Sequence, residues 1–192
     1  IGAAVPNNFD APVNAILCPW QDINPGVGGN IQYSLSGDAP NRVFTVTFCA
    51  IPMFSCTDIC YTSQIKLFET TNIIETHISE KPLCNTWNDG AAIHALHNNT
   101  GTIANVVTGP DGIVRNFPNQ WTALEDGYRF TPNGSNDYII EQIPYQPVIT
   151  GNTVTWLDID GNVVGTGNTL TVNPTESTTY YAQAQLCEGG GC

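Results

Sequence analysis

Basic side chains are the scarcest group in this chain: Lys and Arg number 5 against 17 Asp and Glu, for a formal charge of −12 at pH 7. So negative a chain has no contiguous cationic surface for neutralising phosphates, which excludes nucleic acid and anionic lipid as direct partners. Charge of either sign is thin, 11% of residues where about 25% is usual, so the surface must be built from neutral polar groups. No apolar run approaches the roughly 18 residues of a bilayer-spanning helix, and membrane insertion is not expected. The chain opens at Ile1 with neither a basic nor an apolar leader stretch and reads as a mature or excised segment. It also lacks a G-x-S-x-G elbow, an H-E-x-x-H pair and a phosphate-binding P-loop. Glu69, Glu75 and Glu80 could supply the two carboxylates of a glycosidase. Glu69 and Glu75, however, flank an expected hairpin, and charged strand residues normally face water. The reading is therefore non-enzymatic.

Apolar residues make up 41% of the chain, enough for a real core, and they are arranged with period two. Arg42 to Ala50 puts Val43, Thr45, Thr47 and Cys49 on one face and Phe44, Val46 and Phe48 on the other, which predicts a central, two-sided strand. Ser63 to Glu69 and Asn72 to Ile78 follow as a hairpin. Further strands are expected at 31–35, 91–97, 103–107, 128–131 and 137–143, each bounded by Gly, Pro, Asn or Asp. No helical period lasts beyond two turns. The fold class is all-β, a β-sandwich, over residues 1–143. The punctuation changes at the Pro-rich step Ile143 to Pro147. Beyond it, residues 144–192 read as a second, short immunoglobulin-like β unit with strands at 153–159, 163–164, 169–172 and 178–186, in which Trp156 would pack across from Tyr180 and Tyr181.

Seven cysteines (Cys18, Cys49, Cys56, Cys60, Cys84, Cys187 and Cys192) decide the compartment. Zinc would want close Cys/His pairs in two places. Cys56 and Cys60 form one, but Cys84 and Cys187 stand alone. His77, His94 and His97 lie on expected strands, where a spacing of three sends His94 and His97 to opposite faces. Few lysines, many Asn and Thr, and sequons at Asn98 and Asn133 fit disulfides in an extracellular setting better. The odd count leaves one thiol over. Cys192, after a Gly run that looks like a loop continuing into a longer protein, is the first candidate.

Taken in order, 14–35, 43–56, 64–78, 81–90, 92–101 and 127–132 (GYRFTP) resemble the extracellular nidogen-like domain of large Bacteroidota surface proteins. The run from Trp156 (WLDIDGNVVGTGNTLTV) through Tyr180-Tyr181 resembles the immunoglobulin-like segment that follows in those proteins, among them gliding-motility adhesins exported by the type IX secretion system. The resemblance implies that the segment begins partway into the module, whose first strands would be supplied elsewhere. It implies a Cys56–Cys84 disulfide and no catalytic residues. Cys18 and Cys49 stand where relatives carry other residues, and the two departures together suggest that they pair. Asn173 stands where relatives often have Cys, which leaves the bond of Cys187 open. Cys60 and Cys187 could pair only if the two units touch.

Three ligand readings remain. Trp20, followed by Asp22 and Asn24 in a turn, suggests a sugar or Ca²⁺ site, against the simpler reading of a structural Asx turn. Asp158 and Asp160 have the D-x-D-G-N look of a calcium loop without its distal bidentate Glu, so a hairpin turn with Gly at positive φ explains them. No cofactor is expected. The leading function is a non-catalytic extracellular module of a bacterial cell-surface or secreted adhesin, for adhesion or as a rigid spacer. Its partners would be other modules of the same long chain or surface assembly, and the type IX machinery during export. The alternatives are a glycan-binding accessory domain with Trp20, Trp87 or Trp121 as stacking platform, and a structural subunit of a filament or secretion assembly whose open sheet edge accepts a neighbour's strand.

Overall fold

The structure is a computed structural model that describes residues 2–167 and 169–187, the side chains of 150–153, 185 and 186 excepted. The strands are β1 (Ala15–Trp20), β2 (Asn30–Ser36), β3 (Val43–Met53), β4 (Cys56–Phe68), β5 (Ile74–Lys81), β6 (Ile93–His97), β7 (Ala104–Val106), β8 (Ala123–Pro132), β9 (Tyr138–Ile143), β10 (Ile149–Leu157), β11 (Val163–Thr166) and β12 (Tyr181–Leu186). One short 3-10 turn, Asn88–Gly90, precedes β6. The fold is all-β, as expected. A six-stranded antiparallel sheet runs β2-β3-β4-β5-β8-β9, a three-stranded sheet runs β1-β6-β7, and a C-terminal sheet runs β11-β10-β12.

Alternation along β3, β4, β5 and β8 separates two unlike faces. On the inner face Tyr61, Ile65, Ile78, Tyr128 and Phe130 meet Cys18 of β1 and Leu96 of β6, closing a sandwich core. The outer face is polar, and the register aligns its residues into two rows across the sheet. One row is Ser34, Thr45, Lys66, Glu75, Arg129 and Glu141, and the next is Gln32, Thr47, Gln64, His77 and Gly127. Burying that much polar surface requires hydrogen-bonded partners, and the segment after β9 supplies them. The Gln146 N–H donates to His77 Nδ1 (3.3 Å), Lys66 Nζ donates to Gln146 Oε1 (2.6 Å), and Gln64 Nε2 donates to Thr47 Oγ1 (2.8 Å) and the Ile149 carbonyl (3.3 Å). Gly127 is required there, because a Cβ would sit 2.8 Å from the Ile143 carbonyl oxygen and 3.3 Å from His77 Nδ1.

Several expectations need correction. Strand β1 was not expected, because Pro19 interrupts its pattern; Pro is tolerated here because β1 is an edge strand paired to β6 alone. Residues 169–172 form no strand. Trp156 donates its indole N–H to the Gly167 carbonyl (2.9 Å) and stands across from Ala182 in the β10–β12 register, while half-exposed Tyr181 stands across from Leu157. Glu75 is not solvated: it is 3% exposed, with Oε1 accepting two hydrogen bonds from Arg129 (2.9 and 2.7 Å).

The cysteines divide by face. Cys56 and Cys84 are bonded. Cys18 and Cys49 do not pair: Cys49 points outward in line with Thr45 and Thr47, while Cys18 lies in the inner core, so the sheet stands between them. Cys49 is bonded instead to Cys187, 138 residues away, which joins the outer face to the segment leaving β12. Cys60 is also disulfide-bonded, and Cys18 is the free thiol among the described residues. The expectation for Cys192 lies outside the described residues.

Candidate functional site

The polar rows become a site because the C-terminal sheet overhangs them. Between the two lies a cleft of about 570 Å³ whose floor includes Thr45, Gln64 and Glu75 and whose far wall includes Ile149, Val154 and Ala184. Its position follows from chain path: residues 144–148 cross the outer face and are tied down by the hydrogen bonds above, Val148 is buried, and its carbonyl accepts from the Cys187 N–H (2.8 Å) beside the Cys49–Cys187 bond. Charges in the floor alternate in sign along one row, Lys66, Glu75 and Arg129, and Glu141 continues that row beyond the cleft. Burial lowers the Lys66 pKa, with Glu75 opposing. His77 is held below its ordinary value, first by burial and then by Lys66. Its Nδ1 accepts from Gln146, so the ring proton sits on Nε2, facing Glu75 Oε2 at 3.5 Å.

The three tryptophans of the expected platform part company. Trp121 is 3% exposed and donates to the Ala92 carbonyl (2.8 Å). Trp20 is partly buried against Leu17 and Ile93. Trp87 is 42% exposed, donates its indole N–H to Asp22 Oδ2 (2.6 Å) and meets Phe54 edge-on at 4.7 Å. The Cys56–Cys84 bond braces the pair, two residues after Phe54 and three before Trp87. Asn88, Asp89 and Gly90 follow with positive φ (48°, 49° and 71°), a tight turn that holds the ring outward.

The calcium candidates are not brought together. The Asp22 carboxylate serves Trp87, and the Asn24 backbone closes a turn, its N–H on Pro52 and its carbonyl accepting from Val27. Asp158 Oδ1 accepts the backbone N–H groups of Asp160 (3.0 Å) and Asn162 (2.8 Å), and the Asn162 amide holds its carboxyl below the usual range, in a turn with Gly161 at φ 84°. Among the described residues no three His, Cys, Asp or Glu side chains are grouped to hold a metal ion. Each histidine has its own partner: His97 accepts from the Asn7 N–H and bonds the Pro12 carbonyl, while His94 bonds Thr76 and Arg115. Of the candidate carboxylates, exposed Glu69 is gripped by Arg42 and held down to about 2. At the sequons, the Asn98 side chain is engaged in its own turn with Thr100 and Thr102, whereas Asn133 is exposed.

Sequence reading missed a buried cation cluster behind Trp121. Arg115 (2% exposed) pairs with Asp126, and its guanidinium lies 4.4 Å from the Trp121 ring centroid. Lys81 (1% exposed) bonds to backbone rather than to a carboxylate. Its ammonium donates to the carbonyls of Trp121 (2.7 Å), Pro82 and Gly90 (3.4 Å each) and lies 4.7 Å from the same ring. All three protons are used, which makes Lys81 a clamp between the β5–β6 connection and the segment before β8. The signal available was slight: Arg115 follows Ile113 and Val114, and Lys81 follows Ser79 and Glu80 as an exposed residue would.

No curated protein and no solved structure matches the chain. A family model described as NIDO related matches residues 2–132, from before β1 to the end of β8 and so across both sheets of the sandwich. With more than half of its length covered by that match, the chain belongs to the NIDO-related family.

Proposed function

We propose that the chain is a non-catalytic extracellular module of a large bacterial cell-surface or secreted adhesin, serving adhesion directly or as a rigid spacer. The Cys49–Cys187 bond carries this reading, because it converts a hinge after β9 into a fixed joint. A spacer transmits force only if its joints do not flex, and a disulfide survives only in an oxidising compartment. Membership of the NIDO-related family and the second bond, Cys56–Cys84, support an extracellular location. In this reading the C-terminal sheet opens an immunoglobulin-like segment, the partners are other modules of the same chain, and the setting is a Bacteroidota surface supplied by type IX secretion, as in gliding-motility adhesins. The test is to delete the segment from its parent protein and to replace it with an unrelated rigid module of equal length. Loss of cell attachment on deletion is expected; unchanged attachment by cells that still display the parent sinks the reading.

A second reading, a glycan-binding accessory domain, is favoured by one observation: Trp87 faces solvent beside a carboxylate, edge-braced by Phe54. Exposed indoles in that setting stack on sugar rings.

A further inference from the structure

We infer that the cleft between the outer face of the six-stranded sheet and the C-terminal sheet binds an uncharged oligosaccharide. The inference takes its ligand class from the glycan-binding reading but places the site away from Trp87. The floor carries amides at Gln32, Gln64 and Gln146 and hydroxyls at Thr45 and Thr47; Gln64 Nε2 is held by Thr47 and Ile149 and Gln146 Oε1 by Lys66, so the Gln32 amide and the Thr45 hydroxyl are the groups a ligand meets first. An amide offers a donor and an acceptor side by side, and a hydroxyl offers both at once. The neighbouring hydroxyls of a sugar ring present the same mixed pairs, which an anion or a purely apolar ligand does not. Gln32 Nε2 meets no acceptor among the described residues, and turning that amide into the cleft would give it a ligand hydroxyl.

Charge selects a neutral ligand. Of the charged groups that line the cleft, the Arg129 guanidinium is already held by Glu75 and Lys66 by Gln146, Glu141 stands next to Arg129 in the row, and the chain as a whole carries −12. A polyuronate or sulfated chain would approach against that field. Nonpolar contacts for the sugar's C–H faces come from Phe68 at one end and from Ile149 and Val154 on the wall. The volume, about 570 Å³, lies within the range of small-ligand clefts. The floor is a sheet and the wall is anchored by the Cys49–Cys187 bond, so the site is assembled before any ligand arrives.

The test is a microarray of short neutral oligosaccharides (gluco-, galacto-, manno- and N-acetylglucosamine series) beside uronate oligosaccharides, probed with the oxidised chain and four variants. Lys66→Met and Gln64→Leu alter the floor, Trp87→Ala removes the alternative platform, and Leu124→Ser, at an exposed position on β8, is the control. Folding of each is checked by circular dichroism and by the mass of its disulfide-linked peptides; Lys66 is half buried on the face of the cleft, so its variant keeps the test decisive should Gln64→Leu misfold. Binding to at least one neutral series is expected, weakened about tenfold or more by both floor variants and unchanged in Leu124→Ser. Stronger binding to the uronates, or a loss confined to Trp87→Ala, would overturn the cleft and leave a glycan-binding protein of another kind. Binding to no saccharide would end the cleft and the glycan-binding reading together, without touching the spacer.

Discussion

Cys49 and Cys187 are joined although 138 residues separate them, and their bond closes the longest loop in the described structure. In the chain-entropy treatment a closure of that length is worth about 5 kcal/mol, against roughly 3 to 4 kcal/mol for the 28-residue separation of Cys56 and Cys84. Cys49→Ser/Cys187→Ser is therefore expected to lower the guanidinium unfolding midpoint more than Cys56→Ser/Cys84→Ser does. The same variant should expose residues 144–147 to limited proteolysis that the wild type resists. Equal midpoints and equal cleavage would show that the joint does not depend on the bond.

Asp126 is the buried anion that balances Arg115. Asp126→Ala leaves the guanidinium uncompensated between Trp121 and Tyr128 and should cost about 3 to 5 kcal/mol in urea unfolding. Arg115→Met/Asp126→Leu removes both charges while keeping volume, and should lose less than Asp126→Ala alone. A double variant that is worse than the single one would mean that the ion pair contributes net stability.

Lys81 makes stability depend on pH in the alkaline range. Burial, with Arg115 next, brings its pKa down from 10.5 to about 8. Between those values the unfolded chain holds a proton that the folded chain has released, so this group makes stability rise with pH across that window. Wild type should gain about 3 kcal/mol relative to Lys81→Met between pH 7 and the upper end of the window, measured by denaturant unfolding at each pH. Parallel pH profiles for the two proteins would remove the effect.

Cys18 should be a silent thiol. Desolvation pushes it up to about 12, so almost no thiolate is present near neutral pH, and the sulfur lies inside the core. Alkylation followed by peptide mapping should find Cys18 unmodified in the native protein and fully modified in guanidinium. Rapid native labelling would mean that β1 opens readily.

Sequence pattern and tertiary placement decided different things. Period-two alternation, which is local, was enough for an all-β sandwich, for β3 as a two-sided strand and for the β4–β5 hairpin. It missed β1, because Pro19 breaks the pattern, and it expected Glu75 to face water, because alternation tells which face a residue shares and not what later covers that face. The Cys56–Cys84 bond was legible through family resemblance. Cys49 could be matched to Cys187 only once the chain beyond β9 had folded back over the outer face.

The same division holds for the candidate sites. Trp20, Trp87 and Trp121 are equivalent as letters, and burial alone left Trp87 facing solvent. The rows joining Ser34 to Glu141 and Gln32 to Gly127 draw one residue from each strand they cross, six and five strands in turn, so they exist only through inter-strand register. By itself the sequence determined strand content, the thin and negative charge, and the need for cross-links. Which cysteine bonds which, which polar face is roofed, and where a ligand has room were decided by long-range packing, because each depends on residues that come together only when the sheets close.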